Sequence, residues 1–562
     1  MSIDIVTAEV VRNGINGAVR EMFSTIIRAA HSPLLYANHD FAVGIVSADA
    51  RLWGSAPGCA TFVTLLPKIV GDGLARRPVE SLRDGDCFVV NDPFLTGTHI
   101  SDTTIYSPIF VEGRLIAFSA VTAHWIDIGG KVPGGWCPDS TDVYQEGICF
   151  THEQLAHEWR KDEQLFTFIT QNVRYPRPLL GDIQSQISAC RQGSDRIKRL
   201  CAKYGPDTVV AAMDDVIDRT TAMMKRRIGR LPDGVYAADS AIDGDGIDPE
   251  LHCVIALQVT ISDDRLTVTF DGSGPTTAGP VNHPGAIADV YCALKGLLAP
   301  NEDPNEGHSA AFDHVPAPGT VVGPLRPAPT DSYGYVGVVL IELAIAALSD
   351  ALPGLTPAAG YQLFGGKLSL TTPDPDASFV FDDVSAGGAG ARPSHDGPTL
   401  VFAGNGDTPT ISVEVLETRF PIRCREHSLI FDHAGHGQYR GGPGIRRDFE
   451  VLVDGVAAET SIQNSETLLA VGVRGGSDGA ASYAVLNPDT PEEQVFRRQG
   501  QAAVMLKSGD VMSYRAGGGG GYGRPGDRDR SLVEQDIVEE KVTEDTAAEI
   551  YAYRRVGVRG GT

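Results

Sequence analysis

Apolar residues at helical spacing open the chain. Val11, Ile15, Val19, Met22 and Ile26 recur on one face of residues 7–30, with Thr7 as the expected N-cap. From about residue 41 the period changes. FAVGIVSADARLWG reads as a strand, a turn at Ala48-Asp49-Ala50 and a second strand, and CFVVNDP ends a third strand in a turn. In TTIYSPIF-VEGR-LIAFSAVTAHW two β runs flank a short Gly-containing turn, the pattern of a hairpin. Residues 152–230 are expected to be helical; Val209, Val210, Met213, Val216, Ile217, Met223 and Met224 form a buried stripe in which the methionines are core fillers. LPDG at 231–234 marks a turn and a domain edge. Beyond it come the strand runs HCVIALQVTI and DRLTVTF, a helix around 285–298, the loop PAPGTVVGPLRPAPT and an apolar helix over Val336–Leu352. Residues 411–515 alternate short strands with Gly turns, and Ser531-Leu532-Val533-Glu534 reads as a capping box opening a terminal helix. The pattern has no fixed-period repeat. It implies a mixed α/β (α+β) fold, multi-domain, with large antiparallel or mixed sheets and packed helices. The expected division is an N-terminal α+β region at 1–232 that carries the hairpin, a central α/β region at 233–410, and a β-rich region at 411–562 with a Gly-rich loop and the terminal helix.

Composition narrows the function. The 562 residues exceed one simple core and fit two to four domains. Lys plus Arg number 47 against 72 Asp plus Glu, a net charge of −25 with no basic run, which argues against nucleic acid and anionic lipid as partners. The start, MSIDIVTAEVVRNG, lacks the basic and apolar segments of a signal peptide, and Glu342 and Asp350 interrupt the longest apolar run. Nine cysteines without a C-x-x-C pair suit reduced thiols. The expectation is a cytoplasmic, soluble chain.

The candidate chemistry sits at the mouth of the hairpin, in NDPFLTGTHISDTTIY. With the turn centred between Glu112 and Gly113, cross-strand partners sum to about 225, which sets His124 opposite Ser101 and Asp102 opposite Ala123. His99, Asp102 and His124 then gather at one end of the hairpin. Two neutral imidazoles and one or two carboxylates suit Zn²⁺, Fe²⁺ or Mn²⁺. Asp40, at the start of an earlier strand, could supply a fourth ligand, and Asp127, in HWIDIGG, could support a ligand from behind or act as a base. His and Asp at strand ends also satisfy backbone groups, and no tight motif such as H-E-x-x-H is present, so at this level both readings stand. His31, His39 and His395 read as structural or surface residues.

Other motifs are weaker. GGGGGYG at 517–523 could cradle an anion through backbone N–H groups, yet it lacks the Lys-Ser/Thr of a P-loop and reads better as a mobile or tightly folded loop. GYQLFGGKL has the wrong Gly spacing and no hydroxyl after Lys367. No G-x-S-x-G elbow or cysteine-nucleophile motif occurs, and nothing in the chain looks able to bind ATP unaided.

With these residues in view, NDPFLTGTHISD resembles the N-D-P-[YF]-x-x-G-T-H-x-x-D signature of the hydantoinase B/oxoprolinase family. The resemblance continues in order through HWIDIGGKVPG, DVYQEG, NVRYP with GDIQSQISA, VSAGGAGA, QYRGGPGIRR, SGD and GGGGGYGRPGDRD, over essentially the whole chain. It implies the metal-carrying subunit of an ATP-dependent enzyme, with metal ligands falling on Asp40, His99, Asp102 and His124. It further implies a partner of the hydantoinase A type that binds ATP and phosphorylates the amide or ketone oxygen of the substrate. The expected activity is opening of a cyclic amide (hydantoin, 5-oxoproline or a lactam) by metal-activated water. The alternatives are a subunit of an acetone- or acetophenone-type carboxylase, and a noncatalytic scaffold. Two departures bear on substrate: many members read like H-I-P-V-H where this chain has Gly58-Cys59-Ala60-Thr61-Phe62, and TSIQNSETLLAVGVRGG lacks a basic pair that many relatives carry.

Overall fold

The computed structural model describes residues 3–56, 58–362, 364–374, 377–384, 386–401, 408–463, 468–498 and 504–555. Helix α1 (Ile5–Ala29) starts a turn earlier than the apolar spacing suggests. Its cap is Asp4 and not Thr7, because the Asp4 carboxylate accepts from the N–H groups of Val6 (2.9 Å) and Thr7 (3.2 Å). The short helix α2 (Pro33–Tyr36) leads into β1 (Phe41–Ser47) and β2 (Leu52–Ser55), with the expected turn between them. Next come α3 (Ala60–Arg76), β3 (Cys87–Val90), the single turn α4 (Pro93–Thr96) and the hairpin β4 (Asp102–Val111) and β5 (Arg114–His124).

The helical expectation for 152–230 fails over its first ten residues. They form β6 (Thr151–His157) and β7 (Arg160–Lys161), because β6 finds an open edge on β3 and ladder bonds outweigh local propensity. Asp162 then caps α5 (Glu163–Asn172), followed by α6 (Pro176–Tyr204) and α7 (Pro206–Ile228). The first sheet has the order β2-β1-β5-β4-β3-β6-β7, all antiparallel. Helices α1 and α6 cover one face, with α7 packed on them, and α3 covers the other, so both faces of the central hairpin are buried.

A second sheet, β8 (Gly234–Asp243), β9 (His252–Ser262), β10 (Arg265–Thr269) and β11 (Phe312–His314), packs with α8 (Ala286–Leu298) and α9 (Gly334–Ala347) around its own core. A third sheet has the order β13-β12-β18-β21, with β12 (Phe364–Leu370), β13 (Phe379–Val384), β18 (Val456–Ile462) and β21 (Val504–Leu506). Val380 of β13 is buried in the core of the first sheet, which ties the third sheet to the hairpin. The small ladder β14 (Gly387–Gly388) and β15 (Thr399–Val401), helix α10 (Val413–Arg419) and a fifth sheet of β16 (Ile422–Leu429), β17 (Ile445–Val451), β22 (Val511–Ala516), β19 (Tyr483–Leu486) and β20 (Gln494–Phe496) complete the body.

The fold is thus mixed, multi-domain and rich in antiparallel sheet. No helix among the described residues is long and apolar enough to cross a membrane. At the C-terminus α11 (Arg530–Val538) is capped by Asp529, which accepts from the Ser531 N–H (2.8 Å); the expected Ser531 box is absent because the helix begins two residues earlier than that cap would set it. Helix α12 (Glu544–Ile550) follows. The run GGGGGYG is packed, not an anion cradle. The N–H groups of Gly518, Gly519, Gly520 and Gly521 donate to the carbonyls of Ala480, Gly442, Ala359 and Ser477, and a Cβ on Gly518 would lie 1.8 Å from the His433 carbonyl oxygen.

Candidate metal centre

The segment NDPFLTGTHISD builds the approach to the hairpin residue by residue. Asn91 is fully buried; its amide donates to the carbonyls of Ile100 (2.8 Å) and Ile148 (2.9 Å) and its oxygen accepts from Phe150 N–H (2.6 Å). Asp92 caps α4 through Phe94 N–H (3.1 Å), and Gly97 closes that turn with φ +91°. The chain is thereby bent so that His99 and Asp102 turn inward at the foot of β4, with Asp102 Oδ1 3.0 Å from His99 Nε2.

The hairpin register differs from the expected one in a way that makes the site. Near the turn, partners sum to 225 (Val111 opposite Arg114, Phe110 opposite Leu115). The register then shifts between Ile109 and Phe110, so that Ile109 faces Ala117 and the sum becomes 226. Ile116 is the extra residue of this bulge. Asp102 consequently lies directly opposite His124, and not opposite Ala123. Directly opposed side chains share a face, whereas the uninterrupted register would have put these two on opposite faces of the sheet. On the other side of β5, β1 is paired with Phe41 opposite Ala123, and His124 N–H donates to the Asp40 carbonyl (3.0 Å), so Asp40 enters the same end.

The resulting cluster is compact. Ligand atoms of His99, Asp102 and His124 lie within 4.8 Å of one another. His124 Nδ1 is 3.1 Å from His99 Nε2, 3.3 Å from Asp102 Oδ1 and 3.8 Å from Asp40 Oδ2. His99, Asp102 and His124 are all at most 4% exposed. The hydrogen bonds around the cluster orient its donor atoms. His99 Nδ1 lies 2.8 Å from the backbone carbonyl of Asp331, which only accepts, so Nδ1 carries the proton and Nε2 keeps its lone pair toward the cluster. Tyr333 donates its hydroxyl to Asp102 Oδ2 (3.1 Å), leaving Oδ1 turned toward the two imidazoles. Lone pairs facing one another in a buried space need positive charge between them. The donor set fits a divalent cation of the Zn²⁺, Fe²⁺ or Mn²⁺ type.

Electrostatics point the same way. Burial disfavours an imidazolium, yet Asp102 and Asp331 push His99 up to about 10. Burial also opposes the Asp102 carboxylate, and His99 and His124 together hold it well below the usual range. Burial raises Asp40 to about 6, with His124 easing the shift. The cluster attracts cationic charge by either route, proton or metal.

A cavity of about 90 Å³ opens on the cluster. Asp40, His99, Asp102 and His124 all line it, together with Trp136, stacked on His124 at 6.4 Å, and Tyr333. Cys59 and Phe62 are also in its wall, so part of the Gly58–Phe62 departure faces the candidate site; Thr61 turns away and donates to Asp289 (2.5 Å). Residues 464–467 of the second departure lie outside the described residues, while Thr460 and Ser461 reach the cavity.

Asp127 is elsewhere. It is fully buried below the loop that carries Trp136, accepting from Gly134 N–H (3.2 Å), Arg174 N–H (2.6 Å) and the Arg174 guanidinium (3.2 Å), and it does not line the cavity. His31, His39 and His395 stand apart from the cluster: the His31 N–H donates to Asp182, His39 packs edge-on to Phe23, and His395 meets Ser394 on the surface.

Sequence reasoning missed the opposite wall. Lys367, set aside above as part of a failed P-loop, lines the cavity with Asp382 and Glu459. Asp331 and Tyr333, from DSYG after the Pro-rich loop, hold His99 and Asp102 in place. Their only local signal is polarity between a loop and an apolar helix.

The profile of the hydantoinase B/oxoprolinase family matches residues 4–525. The chain belongs to that family. It is 27% identical to a putative D-/L-hydantoinase subunit of a Pseudomonas species, over 97% of this chain and 94% of that protein. It is 25% identical to the acetophenone carboxylase delta subunit of Aromatoleum aromaticum, over 91% of this chain and 81% of that one. The fold matches the crystal structure of an ATP-dependent caprolactamase from Pseudomonas jessenii with a TM-score of 0.93 at 24% identity, covering all of this chain and 98% of that chain.

Proposed function

We propose that this chain is the metal-carrying subunit of an ATP-dependent cyclic-amide hydrolase that acts on a hydantoin, 5-oxoproline or a lactam and works with an ATP-binding subunit of the hydantoinase A type. The observation that carries the reading is the buried donor set of His99, Asp102 and His124, with Asp40 beside it, facing a cavity in a chain that belongs to this family. The near-complete overlap with the hydantoinase subunit, against 81% of the carboxylase subunit, favours the hydrolase over the carboxylase reading.

Amide resonance makes the C–N bond resistant to water. The partner would transfer the terminal phosphoryl group of ATP to the amide oxygen and release ADP, leaving an electrophilic imidate-like carbon. Water adds to that carbon, the C–N bond breaks toward nitrogen, and the acyl phosphate that remains takes a second water to give carboxylate and inorganic phosphate. Asp40, His99, Asp102 and His124 would hold the metal, which supplies Lewis acidity and lowers the pKa of water. Asp331 and Tyr333 orient its ligands. Phe62 and Trp136 give apolar flanks against which a small ring can lie and from which bulk water is excluded.

The test is to purify the chain with its ATP-binding partner and measure ADP and ring-opened product for a panel of cyclic amides. Product formed in step with ADP is the expected result. Fixation of labelled bicarbonate into product would replace the hydrolase reading by the carboxylase one, and a complex without bound metal would favour the scaffold.

A further inference from the structure

The wall opposite the metal cluster is a row of charges across three strands. Asp382 on β13 is directly opposite Lys367 on β12, and Lys367 is directly opposite Glu459 on β18, so the three side chains share one face of the third sheet. All three line the cavity that holds His99, Asp102 and His124. The lysine is fully committed. Its ammonium donates to the carbonyls of Pro133 (2.6 Å) and Trp136 (3.0 Å) and pairs with Glu459. One cation therefore serves two carboxylates, and its hydrogen bonds are spent on Glu459 and the two carbonyls, so that Asp382 feels only its charge. Asp382 is 8% exposed, and its Oδ2 has no hydrogen-bond partner. A buried carboxyl oxygen without a donor costs free energy that a purely structural role does not explain.

We infer that Asp382 is a further catalytic residue, the acid that gives its proton to the departing ring nitrogen. The inference rests on the hydrolase reading above. Once water has added to the activated carbon, the C–N electron pair goes to nitrogen while the Asp382 O–H proton transfers to it. The hydroxyl on the carbon then loses its proton to solvent as the carbonyl forms, and Asp382 recovers one from solvent, so the step balances. Lys367, one strand away, steadies the carboxylate left behind. The arrangement also supplies the acid form: burial, with Glu459 and Asp40 nearby, raises Asp382 to about 6 despite Lys367. Two functional walls result. The hairpin presents the metal ligands and the third sheet presents the proton.

The experiment compares wild type with Asp382→Asn in the complete complex, measuring bound metal, ADP and ring-opened product across pH. The variant should keep its metal and still form ADP, while product per ADP falls about 100-fold, through kcat and not KM, and the alkaline limb of the wild-type profile flattens. Asp382→Glu should restore part of the ring opening with a displaced limb, and it carries the test if the Asn variant does not fold. Unchanged product per ADP in Asp382→Asn, or a wild-type limb in Asp382→Glu, overturns the assignment of Asp382 alone. Wild-type complex that forms no ring-opened product overturns the hydrolase reading, and this inference with it.

Discussion

The two walls of the cavity are built on opposite principles. The hairpin wall is local: His99, Asp102 and His124 fall within 26 residues, and Asp40 arrives immediately before the neighbouring strand. The wall of the third sheet is distant in sequence, with Lys367, Asp382 and Glu459 spread over three strands from 364 to 462. The hairpin wall leaves lone pairs converging without a cation of its own. The sheet wall contains its cation and holds it with two carbonyls and a carboxylate. One wall is therefore prepared to receive charge and the other to keep it, and substitutions should separate them.

The largest effect belongs to the ligands. His99→Ala or Asp102→Ala should abolish metal binding and lower complex activity by more than about 100-fold, read by elemental analysis and product assay; a variant retaining a full equivalent of metal and wild-type activity would break the first half of the contrast. Lys367→Met should do the reverse, leaving bound metal intact while stability drops by about 3 kcal/mol, because Glu459 loses its buried partner. Chemical denaturation checks this, and metal loss at an unchanged denaturation midpoint would show that the walls are not separable. Smaller again, Tyr333→Phe removes the donor to Asp102 Oδ2 and should weaken metal affinity about tenfold, measured by chelator competition.

The smallest effect on the metal site serves as a control away from both walls. Glu342 lies on α9 beside a second cavity of about 640 Å³ and accepts from Gly360 N–H (2.9 Å); burial pushes it up to about 7 from its ordinary 4.5. A carboxyl with a raised folded-state pKa binds more protons folded than unfolded, so its contribution to stability is present below pH 4.5 and is lost as pH rises to about 7. Glu342→Gln should therefore gain on wild type across that window and not beyond it, in thermal melts at a series of pH values. No change in the metal-dependent readouts should accompany it.

Much of the hairpin wall was legible because period-2 patterning, a Gly turn and a His-x-x-Asp spacing are all local signals. Counting from the turn gave a sum of 225, correct as far as Phe110, and the bulge at Ile116 then moved Asp102 onto the face of His124. A bulge at Ile116 has no signature in polarity, since Leu115 and Ala117 on either side of it are apolar too. The strand at 151–157 was misread for a related reason: THEQLAH has no strong preference, and an open edge on β3 decided its state. Lys367 was seen and discarded, because its meaning depends on carboxylates that no spacing rule connects to it.

The sequence by itself determined the family, the mixed class of the fold, the hairpin and the four residues at its mouth, since each is written in short-range pattern or in ordered motifs. Tertiary structure alone decided which faces those residues share, which carbonyl sets the His99 tautomer, and which lysine and carboxylates close the cavity. The physical reason is that hydrogen bonds and charge pairs act over a few ångströms of space, and at this site such a distance joins His99 to Asp331, 232 positions further along the chain.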